Sequence, residues 1–168
     1  MNERTLELVQ SSMSGSRDSY GLLVKDYTGF VYSVALRMTG DHHMAEDICQ
    51  DVFLRGWMKL GTLKNPSAFS GWIASIARRT CLNALEKKRR RMETGEEEAV
   101  MEILNPTLPE TCDRSRVILE KGIMQLPLQD RELLTLCYFR ELDSAEAGEV
   151  LGIPPGTVRV YLHRARKK

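Results

Sequence analysis

From Met44 to Lys59 the chain has little choice of conformation. Small and apolar residues stand at Ala45, Ile48, Cys49, Val52, Phe53, Gly56 and Trp57. That is the i, i+3, i+4, i+7, i+8, i+11, i+12 spacing of a helix with one continuous buried face. The opposite side carries Asp47, Gln50, Asp51, Leu54 and Arg55, again at helical spacing. A lone exposed leucine is ordinary. An acidic stripe with an apolar centre is also the form of a docking surface for a basic partner.

The neighbouring segments read the same way, with no sustained strand-type alternation before residue 91. One helix is expected from about Ser19 to Met38, burying Leu23, Tyr27, Val31, Val34 and Leu36, and stopped by Gly40-Asp41. After the break at Asn65-Pro66-Ser67, another is expected from about Phe69 to Arg91, burying Ile73, Ile76, Ala77, Thr80, Ala84 and Leu85. Its far end is basic: Arg78, Arg79, Lys87, Lys88, Arg89, Arg90 and Arg91 face only Glu86. Five consecutive cations, 87–91, exceed what a helix dipole requires and point to a surface that follows phosphates. Phe69 and Trp72 stand at the entry to this helix. Aromatic rings beside cations make a single-strand-binding surface, and the spacing equally admits either ring as core.

The net charge of +1 conceals a segregation. Residues 1–91 hold 14 Lys/Arg against 9 Asp/Glu, residues 92–113 hold 7 acids and no cation, and residues 114–168 hold 10 cations against 7 acids. Two basic modules, 1–91 and 114–168, joined by an acidic linker at 92–113, follow from that division. Pro106 and Pro109 add to the case for a flexible linker.

Helical periodicity resumes after the linker, at about Ser115 to Gln125 and from Leu126-Pro127 to about Phe139. Asp143 with Glu146 three residues on has the form of a capping box. Ala147, Val150 and Leu151 face inward, Gly152 turns the chain, and Pro155 suits the first position of the next helix. Val158, Tyr161, Leu162 and Ala165 form the buried stripe of that helix, and Arg159, Val160, His163, Arg164, Arg166 and Lys167 point away. Two short helices about a glycine turn, the second outwardly basic, make a helix-turn-helix. The fold class is therefore all-α.

Several functions are excluded at this level. Cys49, Cys81, Cys112 and Cys137 are far apart with no C-x-x-C pair, so neither a disulfide framework nor a zinc site is expected. His42-His43 lacks the further ligands a metal needs. With no nucleophile–base pair or phosphate loop, no catalytic residue, metal or cofactor is expected, and the chain reads as a non-enzyme. No apolar run is long enough for membrane insertion, and the polar start is unlike a signal peptide, so the expected location is cytoplasmic.

Three strings together resemble the extracytoplasmic-function class of sigma-70-like factors. Arg37-Met38-Thr39-Gly40-Asp41 with Ala45 to Trp57 is similar to the family's polymerase-binding segment. Phe69-Ser70-Gly71-Trp72-Ile73 with Ile76-Ala77-Arg78-Arg79-Thr80 resembles its promoter-melting segment. Gly156-Thr157-Val158-Arg159 with His163-Arg164-Ala165-Arg166 resembles its recognition helix. The resemblance implies core RNA polymerase as partner, docked by Asp47, Gln50, Asp51, Leu54 and Arg55. It implies promoter DNA as the second partner. Phe69, Trp72, Arg78, Arg79, Asn83 and Lys87 would meet the downstream element and hold the melted non-template strand. Thr157, Arg159, His163, Arg164 and Arg166 would meet the upstream element as duplex. It also implies an anti-sigma factor as a class of regulator. Departures from the family pattern are Val160-Tyr161 after the first recognition-helix arginine, Arg79 in the melting segment, and Ala147-Gly148, where a mid-helix glycine is expected to loosen the motif by about 1 kcal/mol. The competing reading is a free-standing helix-turn-helix regulator with an N-terminal sensing or dimerisation bundle. It leaves the first two strings unexplained.

Overall fold

The computed structural model describes residues 3–94, 122–139 and 142–165, and all regular structure among them is helical. The helices are α1 (Glu3–Met13), α2 (Arg17–Thr39), α3 (His42–Lys59), α4 (Phe69–Glu93), α5 (Leu128–Phe139), α6 (Ser144–Leu151) and α7 (Pro155–Ala165), with 3-10 turns at Leu60–Thr62 and Pro66–Ala68.

Local chemistry sets the boundaries. The Ser16 hydroxyl accepts from the Ser19 N–H at 3.2 Å to open α2, two residues earlier than periodicity places it. Gly40, at φ +70°, closes α2 with its N–H on the Leu36 carbonyl at 2.7 Å. Only glycine holds that left-handed turn without strain. Asp41 then caps α3 by accepting from the Met44 N–H at 3.0 Å. That bond, helped by Lys88 of α4 at 3.4 Å, holds the Asp41 carboxyl below the usual carboxylate range. A two-residue connection so pinned makes α2 and α3 antiparallel neighbours.

The core gathers where expected. Leu23, Tyr27, Val31 and Val34 of α2 meet Ala45, Ile48, Val52 and Phe53 of α3 and Phe69, Ile73, Ala77 and Cys81 of α4, all buried. Burial pushes the Tyr20 hydroxyl up to about 12, so it stays a donor, and it bonds the Phe53 carbonyl at 2.7 Å. Gly56 makes room for it: a Cβ there would sit 2.6 Å from that hydroxyl oxygen.

Helix α1 has no counterpart in the sequence reading, because its apolar stripe is thin. It is held by Val9, completely enclosed, and by Ser12, also buried. At the other end of the bundle, α4 runs on to Glu93, so the first residues assigned to the linker continue the helix. Residues 95–113, and the expected helix over Ser115 to Gln125 apart from its last turn at 122–125, lie outside the described residues.

Helices α5 and α6 lie directly against the bundle, α5 on α2 and α6 on α4, and α7 packs on α5 and α6. Within this part the capping box is as expected: Asp143 accepts from the Ala145 and Glu146 N–H groups at 2.7 and 2.9 Å, and Glu146 accepts from the Asp143 N–H at 3.0 Å. The glycine in α6 is a correction. Gly148 is buried, and a Cβ there would sit 2.6 Å from the Ile153 carbonyl oxygen, so the residue expected to loosen the motif is what lets the turn close onto the helix. Gly148→Ala should lower stability by about 1–3 kcal/mol through that backbone clash, against the gain of about 1 kcal/mol that helix propensity alone would give. Denaturant unfolding of the two chains reads the sign.

Candidate nucleic-acid and protein interfaces

On α3 the buried face fixes the outer one. With Ile48, Cys49, Val52 and Phe53 packed inside, Asp47, Gln50, Asp51, Leu54 and Arg55 are all exposed, as the periodicity predicts. Leu54 is 65% exposed and Met58, one turn on, 83%. Two long apolar side chains in water on a charged face are a feature the sequence reading half missed, having named only the first. The Asp51–Arg55 pair at 3.5 Å is solvent-exposed and contributes little to stability.

This face is a ridge between two clefts of about 840 Å3 each. One opens toward α4, with Asp41, Asp47 and Asp51 on the α3 side and Asn83, Lys87, Lys88 and Arg91 on the other. The second opens toward α2 and is mainly apolar, with Tyr20, Val24, Tyr32, Phe53 and Trp57 in its walls. Gln50 and Leu54 border both. No grouping of His, Cys, Asp and Glu able to hold a metal occurs among the described residues.

On α4 the expected residues divide. Trp72, Arg79, Asn83 and Lys87 follow at i, i+7, i+11 and i+15, which is one side of the helix. Arg79, Asn83 and Lys87 are exposed and Trp72 half-buried. Phe69 does not join them. It is completely enclosed, edge-on to Tyr27 with ring centroids 5.0 Å apart, so its expected stacking on bases is replaced by a place in the core. Arg78 also leaves the stripe, being one residue, about 100°, round the helix from Arg79. Its Nε donates to the Glu132 carboxylate of α5 at 3.0 Å. Glu132 is 7% exposed at its side chain, and burial pushes its carboxyl up more than Arg78 lowers it. Further along, Arg89 pairs with Glu93 at 3.1 Å and Arg90 with Glu86, i,i+4 contacts that spread the cations over the helix surface.

In the C-terminal motif Val158 and Ala165 are buried beneath α7, while Arg159, His163 and Arg164 are exposed and Thr157 is half-buried. Val160 is 48% exposed beside them. Arg166 lies outside the described residues.

With this geometry in place, comparison with known proteins is decisive. Residues 23–91 match the Sigma-70 region 2 model and residues 116–168 the Sigma-70, region 4 model. An "ECF RNA polymerase sigma factor SigW" of Bacillus subtilis is 30% identical over 95% of this chain and 91% of its own length. The chain belongs to the extracytoplasmic-function sigma factors. Two solved structures share the fold. CnrH bound to the cytosolic domain of CnrY has a TM-score of 0.69 at 20% identity, covering 98% of this chain and 94% of that one. RpoE bound to the anti-sigma factor NepR, from Bartonella quintana, has 0.70 at 22%, covering 87% and 89%. The region 2 match removes the free-standing regulator, since that reading assigned the N-terminal bundle to sensing. Within this sigma factor region 2 spans most of α2 together with α3 and α4, and region 4 contains α5 to α7.

The split between the two aromatic residues can be measured. Phe69→Ala should cost about 3–5 kcal/mol in a denaturant titration, as for any large enclosed ring. Trp72→Ala should cost less, its ring being only half-buried.

Proposed function

We propose that this sigma factor binds core polymerase through the α3 ridge, with Asp47, Gln50, Asp51 and Arg55 as the polar rim and Leu54 as the apolar centre. The observation that carries this is Leu54, exposed at 65% with Met58 exposed one turn on, on a helix whose Ala45, Ile48, Cys49, Val52 and Phe53 are inside. An apolar anchor ringed by charge is how a protein interface combines affinity with orientation. Trp72, Arg79, Asn83 and Lys87 are assigned to the melted non-template strand, the ring for base stacking and the cations for phosphates. Arg78 is assigned to the same strand once it leaves Glu132. Thr157, Arg159, His163 and Arg164 are assigned to the upstream duplex, joined by Arg166 from the sequence. Of the cations among them, Arg159 stands nearest the start of α7, the end that helix-turn-helix proteins present to base edges. On this reading the protein contributes binding energy and the polymerase the chemistry. Two of the similar folds were solved with another protein bound, in one case a named anti-sigma factor. We assign a regulator of that class to this chain, with the α3 ridge as its competing site.

Asp51→Arg combined with Leu54→Ala should abolish capture of core polymerase while the circular dichroism spectrum and melting midpoint stay near wild type. Normal capture by that variant would reduce the ridge to a solvated face. Arg159→Ala should relax base preference at one or two upstream positions, an effect of about 1–3 kcal/mol read on a panel of promoter variants. A uniform loss of affinity across the panel would assign Arg159 to phosphate instead.

A further inference from the structure

The outward face of α7 has an apolar side chain at its centre. Val158 and Ala165 are buried, and successive helical residues stand about 100° apart. Val160 therefore lies roughly 140–160° round from both of them, at the middle of the exposed arc. Arg159 and His163 flank it on one side and Arg164 on the other, all three exposed. Val160 is itself 48% exposed. Of the two residues by which this helix departs from the family pattern, Tyr161 is half-buried against the core and Val160 points out. Helical side chains lean toward the N-terminus, which directs Val160 toward Gly156, one turn earlier on the same line. Gly156 has no side chain, and a Cβ there would meet no side chain within 4 Å, so the approach to the valine is open. A single exposed apolar residue is ordinary elsewhere on a surface. At the centre of a helix face ringed by cations it decides what that face can recognise.

We propose that Val160 is a specificity-determining residue that reads the 5-methyl group of one thymine in the upstream element. The proposal rests on the assignment of α7 to the upstream duplex, and adds the base that this side chain selects. An isopropyl group has neither donor nor acceptor, so it cannot bond the nitrogens and oxygens that distinguish most base edges. The major groove offers it one apolar group, the methyl of thymine. A guanine or adenine N7, or the amine of cytosine, would lose water to the valine and gain no hydrogen bond. Attraction and desolvation therefore favour the same base. The flanking cations hold the helix to the groove, and they leave Val160 facing the base edges between them.

The test uses holoenzyme, the full chain on core polymerase, and promoter duplexes that wild-type holoenzyme selects from a random pool. Each thymine of the selected upstream element, on either strand, is replaced in turn by deoxyuridine. That exchange removes the methyl and leaves every hydrogen-bonding edge in place. At one thymine, wild type should bind the deoxyuridine duplex about fourfold more weakly, the effect of one methyl-sized group losing an apolar contact. Val160→Ser, which has similar helix propensity and no methyl, should bind the two duplexes equally, with an unchanged melting midpoint. Val160→Ile should keep the discrimination. A flat deoxyuridine scan in wild type overturns the proposal, and so does a selected upstream element without an A·T pair. A loss that persists undiminished in Val160→Ser belongs to another residue and overturns it as well. Arg159→Ala combined with Arg164→Ala tests the underlying reading. Unchanged upstream preference in that variant overturns the assignment of α7 and the proposal with it. Relaxed preference there, with a flat deoxyuridine scan in wild type, overturns the role of Val160 alone.

Discussion

The fold depends on burying one side of α3 between α2 and α4. Ala45, Ile48, Val52 and Phe53 go inside, and Gly56 lets Tyr20 approach closely enough to bond the α3 backbone. Once that face is enclosed, the rotation of α3 is fixed to within a fraction of a turn. Asp47, Gln50, Asp51, Leu54 and Arg55 then have no direction available except outward. The exposed ridge is thus a by-product of the core, and its direction is set by the core. The cap at Asp41 extends the same constraint to α4, because the carboxylate that starts α3 also holds Lys88. Acidic and basic walls of the α3–α4 cleft are set at a fixed separation by that tie.

The contact between regions 2 and 4 adds polar bonds to a continuous apolar core, in which Leu133 and Leu136 of α5 are buried together with the α2 and α4 residues. Inside each half the buried groups are apolar with few exceptions, and their packing does not depend on partners changing state. Between the halves, Arg37, Arg78, Arg131, Glu132 and Thr135 exchange hydrogen bonds out of water. Burial raises the Glu132 carboxyl and lowers the Arg131 guanidinium, which is the mark of charges that are desolvated more than they are compensated.

How much was legible in the sequence follows from what each signal encodes. Helices α2, α3 and α4 and the helix-turn-helix were readable to within a few residues, since their caps and apolar periods lie in adjacent residues. Helix α1 was not, because its buried residues are Val9 and the polar Ser12, and an apolar period cannot be drawn through one point. Phe69 and Trp72 looked alike as aromatics beside cations. They are separated only by Tyr27, which comes from another helix and encloses the first ring. Gly148 looked like a flaw by helix propensity, and it is the residue that Ile153 requires, since the clash a side chain would make lies across the turn.

Charge and period in the chain by themselves determined that this protein is all-α, that α3 has a wet acidic side, that α4 ends in cations, and that the last two helices turn about a glycine. These are local properties, set by backbone hydrogen bonding and by which side of a helix avoids water. Only the tertiary structure decided which of the cations on α4 face solvent and which is taken by the α5 carboxylate. Arg78 and Arg79 are neighbours in sequence with the same side chain. One residue is about 100° of helix, and that angle sends the first against Glu132, 54 residues away in the chain, and the second into water.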